Sequence, residues 1–409
     1  FVSMAPQSSF SESTFIGGVF KENQVSTWMA MQDAEDEVEG LRARPVWDEQ
    51  WRELDFSGYL SKVNIPVYNV GGWYDIFLRG NLENFVYLQE QGVEGAKGLQ
   101  KLSVGAFGHL PISGELDYPK LDTKFGPMMG NDELRWFDYW LKGVNNGIMD
   151  EPPVKYYLMA AARGDKVSKK NRVIEAAHWP PPSEETRYYL QSDKSLSTTR
   201  PAAATSYTDY LFDPENPVPT FGGSNLFMPR GPMDQREVGQ REDYLRFETE
   251  PLTEDVTVSG RVTMEVYAST DGLDTDFMVK LIDVYPDGYE ALLLDAPIRT
   301  RYRNGFESGD VAFMTPDVPA KMSIDLWGTA NTFEAGHRIA VHVTSSNAPR
   351  FEVNPNTGHA PGDSSKETRV ARNAIYHSIE MPSAIVLPVM ADKTNTASNV
   401  AYHVGKKLE

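Results

Sequence analysis

"IPVYNVGGWYDIFLRG", residues 65–80, decides how the rest of the chain is read. Val63 to Val70 is apolar and rich in β-branched residues, which predicts a buried strand closed by Gly71 and Gly72. The stretch then arrives at a lone acid, Asp75. Beyond it, "GNLENFVYLQEQG" places Leu82, Phe85, Val86 and Leu88 on one helical stripe, with Asn81 as the expected N-cap and Gly92 as the stop. A second short strand is expected in "QKLSVGAFGHL", with His109 just past its end.

Strand, helix and strand at this spacing form a βαβ unit, which implies a parallel sheet with site residues at the C-terminal ends of its strands. Asp75 and His109 then leave the same edge. A carboxylate beside an imidazole is the arrangement that activates a nucleophile: the acid fixes the tautomer, and the free ring nitrogen takes a proton from a hydroxyl. The plain alternatives are an acid that only caps a turn and a histidine that is only solvated. A serine elbow would complete the reading, yet no G-x-S-x-G occurs, and Ser8, Ser9, Ser11 and Ser13 lack glycines at that spacing.

A further helix is signalled by "NDELRWFDYWLKG", with acids in its first turn, Leu134, Phe137 and Leu141 on one face, and Gly143 at its end. From Glu151 the texture changes to proline-rich turns between short extended runs. In "RVTMEVYAS" Val262, Met264, Val266 and Ala268 alternate with Arg261, Thr263, Glu265 and Tyr267, and in "HRIAVHV" Ile339, Val341 and Val343 do the same. That is the period of a β-sandwich with one face on the core.

With 409 residues, 40% of them hydrophobic, the chain is long enough for two hydrophobic centres. Its 58 acids against 39 bases give a formal charge of -19, a field that repels nucleic acid phosphates and anionic lipid, so neither is an expected partner. The absence of cysteine excludes disulfides, a thiol nucleophile and thiolate metal sites, and leaves the compartment open, cytoplasmic or secreted. No metal and no cofactor is expected. Asp271, Asp274, Asp276 and Asp283 lack the glycine and distal glutamate of a calcium loop and read as strand-end acids. His337 and His342 fall on opposite faces of their strand. Nothing bears on oligomeric state, and a homo-oligomer stays open.

Six blocks carry a resemblance: "IPVYNVGGWYDIFLRGNLENF", "KLSVGAFGHL", "LRWFDYWLKGVNNGIMDEPPVKYYLM", "GPMDQREVGQREDYLRFETEPL", "DTDFMVKLIDVYPDG" and "FEAGHRIAVHVTSSNAPRFEVNPNTG". In this order, from about Ile65 to Met390, the chain resembles the cocaine esterase and X-Pro dipeptidyl-peptidase group of serine hydrolases, which also holds α-amino acid ester hydrolases and glutaryl acylases. The resemblance implies a fold of the α/β plus all-β class: the C-terminal portion of an α/β-hydrolase domain (residues 1–150, with a reduced cap segment at about 10–55), followed by a jelly-roll β-sandwich (residues 151–405). It implies that Asp75 and His109 complete a Ser-Asp-His triad. The family's serine elbow precedes a segment similar to "FVSMAP", so the nucleophile and both oxyanion-hole donors are expected upstream of Phe1, on a segment or chain that would be this one's partner. On that reading this chain alone is inactive.

Trp73, Phe77 and Phe107 are candidate walls of an acyl pocket, with core packing as the bland alternative. In the related esterase the residue two beyond the acid lines that pocket, and here it is Phe77. Phe227, with Leu226 in "PTFGGSNLF", is expected to reach over the site by the same resemblance. The expected activity is hydrolysis of an ester or amide of a small acyl substrate through an acyl-enzyme. The alternatives are an X-Pro dipeptidyl-peptidase and, from another class, a non-catalytic jelly-roll binding or assembly module.

Overall fold

The computed structural model describes residues 2–4, 10–119, 132–164, 166–360 and 367–391. The first layer is a five-stranded sheet in the order Val2–Met4, Tyr68–Tyr74, Lys101–Gly108, Val154–Leu158, Arg172–Ala176. The first four strands run parallel and the last is antiparallel. The sheet therefore continues past the change of texture at Glu151, because the run after "EPP" pairs with the histidine-bearing strand before the chain leaves for the sandwich.

The acid-bearing strand begins later than its composition suggests. It spans Tyr68–Tyr74, all seven residues buried, so Gly71 and Gly72 lie inside it rather than closing it. Space is the physical reason. A Cβ on Gly72 would overlap the Phe107 carbonyl and ring, and one on Gly105 would overlap the same ring, so the two glycines form a bed on which Phe107 lies. The following helix spans Leu78–Glu90 and buries Leu78, Leu82, Phe85 and Leu88. Asn81 is not its cap: it sits within the first turn, fully buried, and its amide donates to the Val70 carbonyl of the preceding strand.

The helix Asp132–Lys142 forms where the acids of its first turn predict, but it presents the other face. Leu134, Phe137 and Leu141 are exposed, while Trp136 is fully buried against Tyr68, with Tyr139 and Trp140 beside it. Burying an indole removes more apolar area from water than burying a leucine, and this decides the orientation.

The sandwich has a seven-stranded antiparallel sheet built around Val256–Thr270 and a four-stranded one ordered Leu245–Glu248, Arg338–Thr344, Asp276–Val284, Glu290–Arg299. Val262, Met264, Val266 and Ala268, with Ile339, Val341 and Val343, are at 0% exposure in the core between them, as their period-two spacing predicts. Residues 10–53 contribute short helices, Phe10–Thr14, Glu22–Ala30, Val38–Arg42 and Glu49–Glu53. A small core of Phe15, Phe20, Val25, Val38 and Trp51 holds this region together.

The two layers share a core. Trp73, Tyr156 and Trp179 pack together, and Met159 exchanges backbone hydrogen bonds with Ala330 and Thr332 of the sandwich. No helix among the described residues is long and apolar enough to cross a membrane.

Candidate active site

Asp75 and His109 leave adjacent parallel strands whose registers run side by side from Tyr68 opposite Lys101 to Tyr74 opposite Gly108. At the strand end the backbone turns sharply. The Asp75 N–H donates to the Gly72 carbonyl (2.9 Å), and Asp75 Oδ1 accepts from the Phe77 N–H (2.8 Å), which fixes the carboxylate before the helix begins. The residue is 2% exposed. Its other oxygen, Oδ2, lies 3.2 Å from His109 Nδ1.

An ionised carboxylate only accepts hydrogen bonds, so Nδ1 carries the proton and Nε2 carries the lone pair. Nε2 has no hydrogen-bond partner among the described residues, and the side chain is 35% exposed. The Asp75 hydrogen bond raises the His109 pKa above its ordinary value; partial burial and the nearby Arg230 act in the opposite direction. The result is an imidazole oriented by a buried acid, an arrangement chemically able to take a proton from a hydroxyl.

Phe77 packs edge-to-face on the His109 ring, with centroids 5.5 Å apart. Phe107 is half-buried over Gly72 and Gly105, two residues before the histidine. Trp73 is not a pocket wall. It is 1% exposed, its indole N–H donates to the Tyr157 carbonyl (2.7 Å), and it belongs to the core between the layers. Tyr74 is equally buried, its hydroxyl donating to the Leu292 carbonyl of the sandwich.

Phe227 sits half-buried in a loop closed by reciprocal backbone bonds between Gly223 and Gly231. This loop reaches the histidine segment through a residue that the sequence reading passed over, Arg230. Its carbonyl accepts from the Ser113 N–H (2.8 Å), and its side chain passes close to Gly108. Nothing in "MPRGPM" marks that arginine, since its neighbour His109 is far away in sequence.

The acids weighed as calcium ligands are otherwise engaged. Asp274 pairs with Arg301, Asp276 with Arg299, Asp271 with Arg369, and Asp283 with His337. No group of three or more metal-ligating side chains occurs among the described residues. His342 bonds the Tyr244 hydroxyl (2.9 Å), while His337 bonds Asp283 (2.8 Å), so the two histidines are apart. Ser8 and Ser9 lie outside the described residues, as does the side chain of Ser11.

A parallel sheet carrying an acid and a histidine on adjacent strand ends, backed by an antiparallel sandwich, is the architecture of an α/β-hydrolase with a jelly-roll appended. Comparison with known proteins agrees. Residues 146–386 match the X-Pro dipeptidyl-peptidase C-terminal non-catalytic domain, and residues 3–111 match the X-Pro dipeptidyl-peptidase S15 family. The chain belongs to the cocaine esterase and X-Pro dipeptidyl-peptidase family.

It is 32% identical over 371 residues to the cocaine esterase of Rhodococcus sp. (strain MB1 Bresler), a match covering 85% of this chain and 60% of that protein. The chain thus spans about three fifths of that relative's length. An aminopeptidase from a marine sediment Thaumarchaeota archaeon has the same fold, with a TM-score of 0.78 at 24% identity over 95% of this chain and 72% of that one. An α-amino acid ester hydrolase superposes with a TM-score of 0.72 at 24% identity, covering 94% of this chain and 65% of the other.

Proposed function

We propose that the protein hydrolyses an ester or amide of a small acyl substrate through an acyl-enzyme. The observation that carries this reading is the bond between buried Asp75 and His109, which leaves Nε2 without a partner among the described residues. The nucleophile is a serine on polypeptide N-terminal to Phe1. The strand Val2–Met4 lies parallel to the acid-bearing strand, the place expected for the strand that follows a nucleophile elbow.

His109 takes the serine proton as the hydroxyl attacks the carbonyl, and then gives it to the departing alcohol or amine. A water repeats the sequence to release the acid. Asp75 holds the tautomer and stabilises the imidazolium. Phe77, against the His109 ring, and Phe227, in the loop that reaches the histidine segment, are the proposed acyl-pocket walls.

Identity to cocaine esterase favours an ester substrate, while the S15 match favours a peptidase that releases X-Pro dipeptides. Turnover of a nitrophenyl ester against that of a Gly-Pro anilide by the full-length protein separates the two. Faster cleavage of the ester supports the first reading. Cleavage of neither, with Asp75 and His109 intact, would contradict both and leave the sandwich as a binding module.

A further inference from the structure

A cavity of about 500 Å³ lies between the segment of residues 10–53 and the sandwich, within the size range of small-molecule sites. Two backbone bonds join the two bodies beside it: Trp47 N–H to the Phe306 carbonyl (2.7 Å) and Arg299 N–H to the Gly17 carbonyl (2.8 Å). Asp75, Phe77, His109 and Phe227 do not line it, so it stands apart from the candidate active site.

Part of the lining is charged, and those charges are already matched. Arg79, in the first turn of the helix that follows Asp75, lies 3.2 Å from Glu12 and 3.6 Å from Asp325. Arg261 Nε donates to Asp325 (2.9 Å), and Glu307 pairs with Arg52. Each of the three acids on the cavity, Glu12, Asp325 and Glu307, thus has an arginine of its own.

This matching decides what can enter. A cation would have to displace a guanidinium, an anion would meet three carboxylates, and an alkyl chain would strip water from ion pairs and put nothing in its place. A neutral ligand rich in hydroxyls avoids all three costs. A paired carboxylate keeps lone pairs for O–H donors, and a paired guanidinium keeps N–H groups for oxygen acceptors.

The rest of the lining is largely apolar, with Trp47 contributed by the segment of residues 10–53 and Trp327 by the sandwich. Both indoles are half-buried, and neither stacks on another ring among the described residues. Trp327 is held in place against its own preference. It follows a β-bulge, where Val262 pairs with Trp327 but Thr263 pairs with Asp325, and its φ of +75° is a left-handed value that a bulky side chain disfavours. The bulge puts Asp325 and Trp327 on the cavity with buried Leu326 between them, and Asp325 Oδ1 accepts the Trp327 N–H (3.1 Å). Backbone strain of this kind persists where the surrounding structure fixes a side chain for a task.

We propose that this cavity binds a neutral sugar, a hexopyranose ring whose C–H face lies on an indole while its hydroxyls meet the Glu12–Arg79 and Asp325–Arg261 pairs. It is a second site, and its occupancy does not require the Asp75–His109 pair.

The test is saturation-transfer NMR on the full-length protein with the methyl glycosides of glucose, galactose and mannose, and with choline and hexanoate as charged probes. Two variants report on the two kinds of lining. Trp327→Gly removes an indole and gives the left-handed position the residue that suits it, so the fold is expected to hold. Arg261→Ala removes an exposed guanidinium and leaves Asp325 with Arg79, a change that costs the fold little.

At least one glycoside is expected to bind the parent, with saturation strongest at its ring C–H protons, and to bind each variant about tenfold more weakly. Binding of no glycoside, or equal binding to the parent and both variants, overturns the site. Binding of choline or hexanoate in preference to every glycoside, lost in Trp327→Gly, overturns the assignment to a neutral ring.

Discussion

Asp75 Oδ2 and His109 Nδ1 meet at 3.2 Å although thirty-four residues and a whole helix separate them, because their parent strands are neighbours and both end at the same edge of the sheet. Asp75→Asn keeps an oxygen for the Phe77 N–H but would present an amide donor to Nδ1, leaving the proton on Nε2. The expected loss in kcat is about 10⁴-fold in the full-length protein. In the parent, kcat/KM rises with pH as His109 loses its proton, with the midpoint above the ordinary histidine value, since Asp75 raises that pKa. A pH profile of the Asn variant should show the midpoint moved to lower pH. The same shift has a stability consequence. A raised folded-state pKa means that protonation favours folding, fully below pH ~6.5 and less as pH climbs through the folded value, by a small amount at so exposed a ring.

Gly72→Ala tests the bed beneath Phe107. The added methyl would strike the Phe107 carbonyl oxygen, a backbone atom of the strand that delivers His109, and relief requires that strand to move. Overpacking of this kind costs about 1–3 kcal/mol. Thermal unfolding should show the loss, and kcat/KM should fall with it. A variant with parent-like kcat would show that the strand tip is looser than the packing implies.

Trp73 and Phe77 are four residues apart and are expected to respond in opposite ways. Trp73→Ala empties part of the shared core and should cost about 3–5 kcal/mol in chemical denaturation. Phe77→Ala removes a ring from the face of His109 and should alter the preference between acetyl and benzoyl esters, with a smaller change in stability. A comparison of the two variants by urea melt and by ester panel checks both statements.

Arg299 holds Asp276 through Nε and Nη2 at 2.9 and 3.0 Å, with both side chains buried, and reaches Glu352 at 2.8 Å. Removing the guanidinium strands a carboxylate that burial already drives toward its neutral form. Arg299→Met should therefore destabilise the sandwich by about 3–5 kcal/mol, read as a lower denaturation midpoint. Adding Asp276→Asn should recover much of that loss, because the stranded charge is then gone.

What could be read from the sequence followed local periodicity. The buried positions Val262 to Ala268 repeat every two residues and needed no partner to be recognised. Asp75 and His109 were legible because each closes a strand. Long-range packing was not legible. His342 looks like an exposed polar position on an amphipathic strand, yet it is buried because Tyr244, ninety-eight residues away, supplies a hydrogen bond. The helix Asp132–Lys142 carries two apolar faces, and only the position of Tyr68 selects the one bearing Trp136. Trp73 reads as well for a pocket wall as for a core residue until Tyr157 is placed beneath it. Arg230 acquires meaning only from the histidine segment against which its loop folds.

The most direct test of the central claim is to treat the full-length protein and its His109→Ala variant with a fluorophosphonate and to locate the label by intact mass and peptide mapping. A single serine upstream of the segment beginning at Phe1 is expected to be labelled, at a rate that collapses in the variant. Labelling that is indifferent to His109, or no labelling of the parent at all, would contradict it.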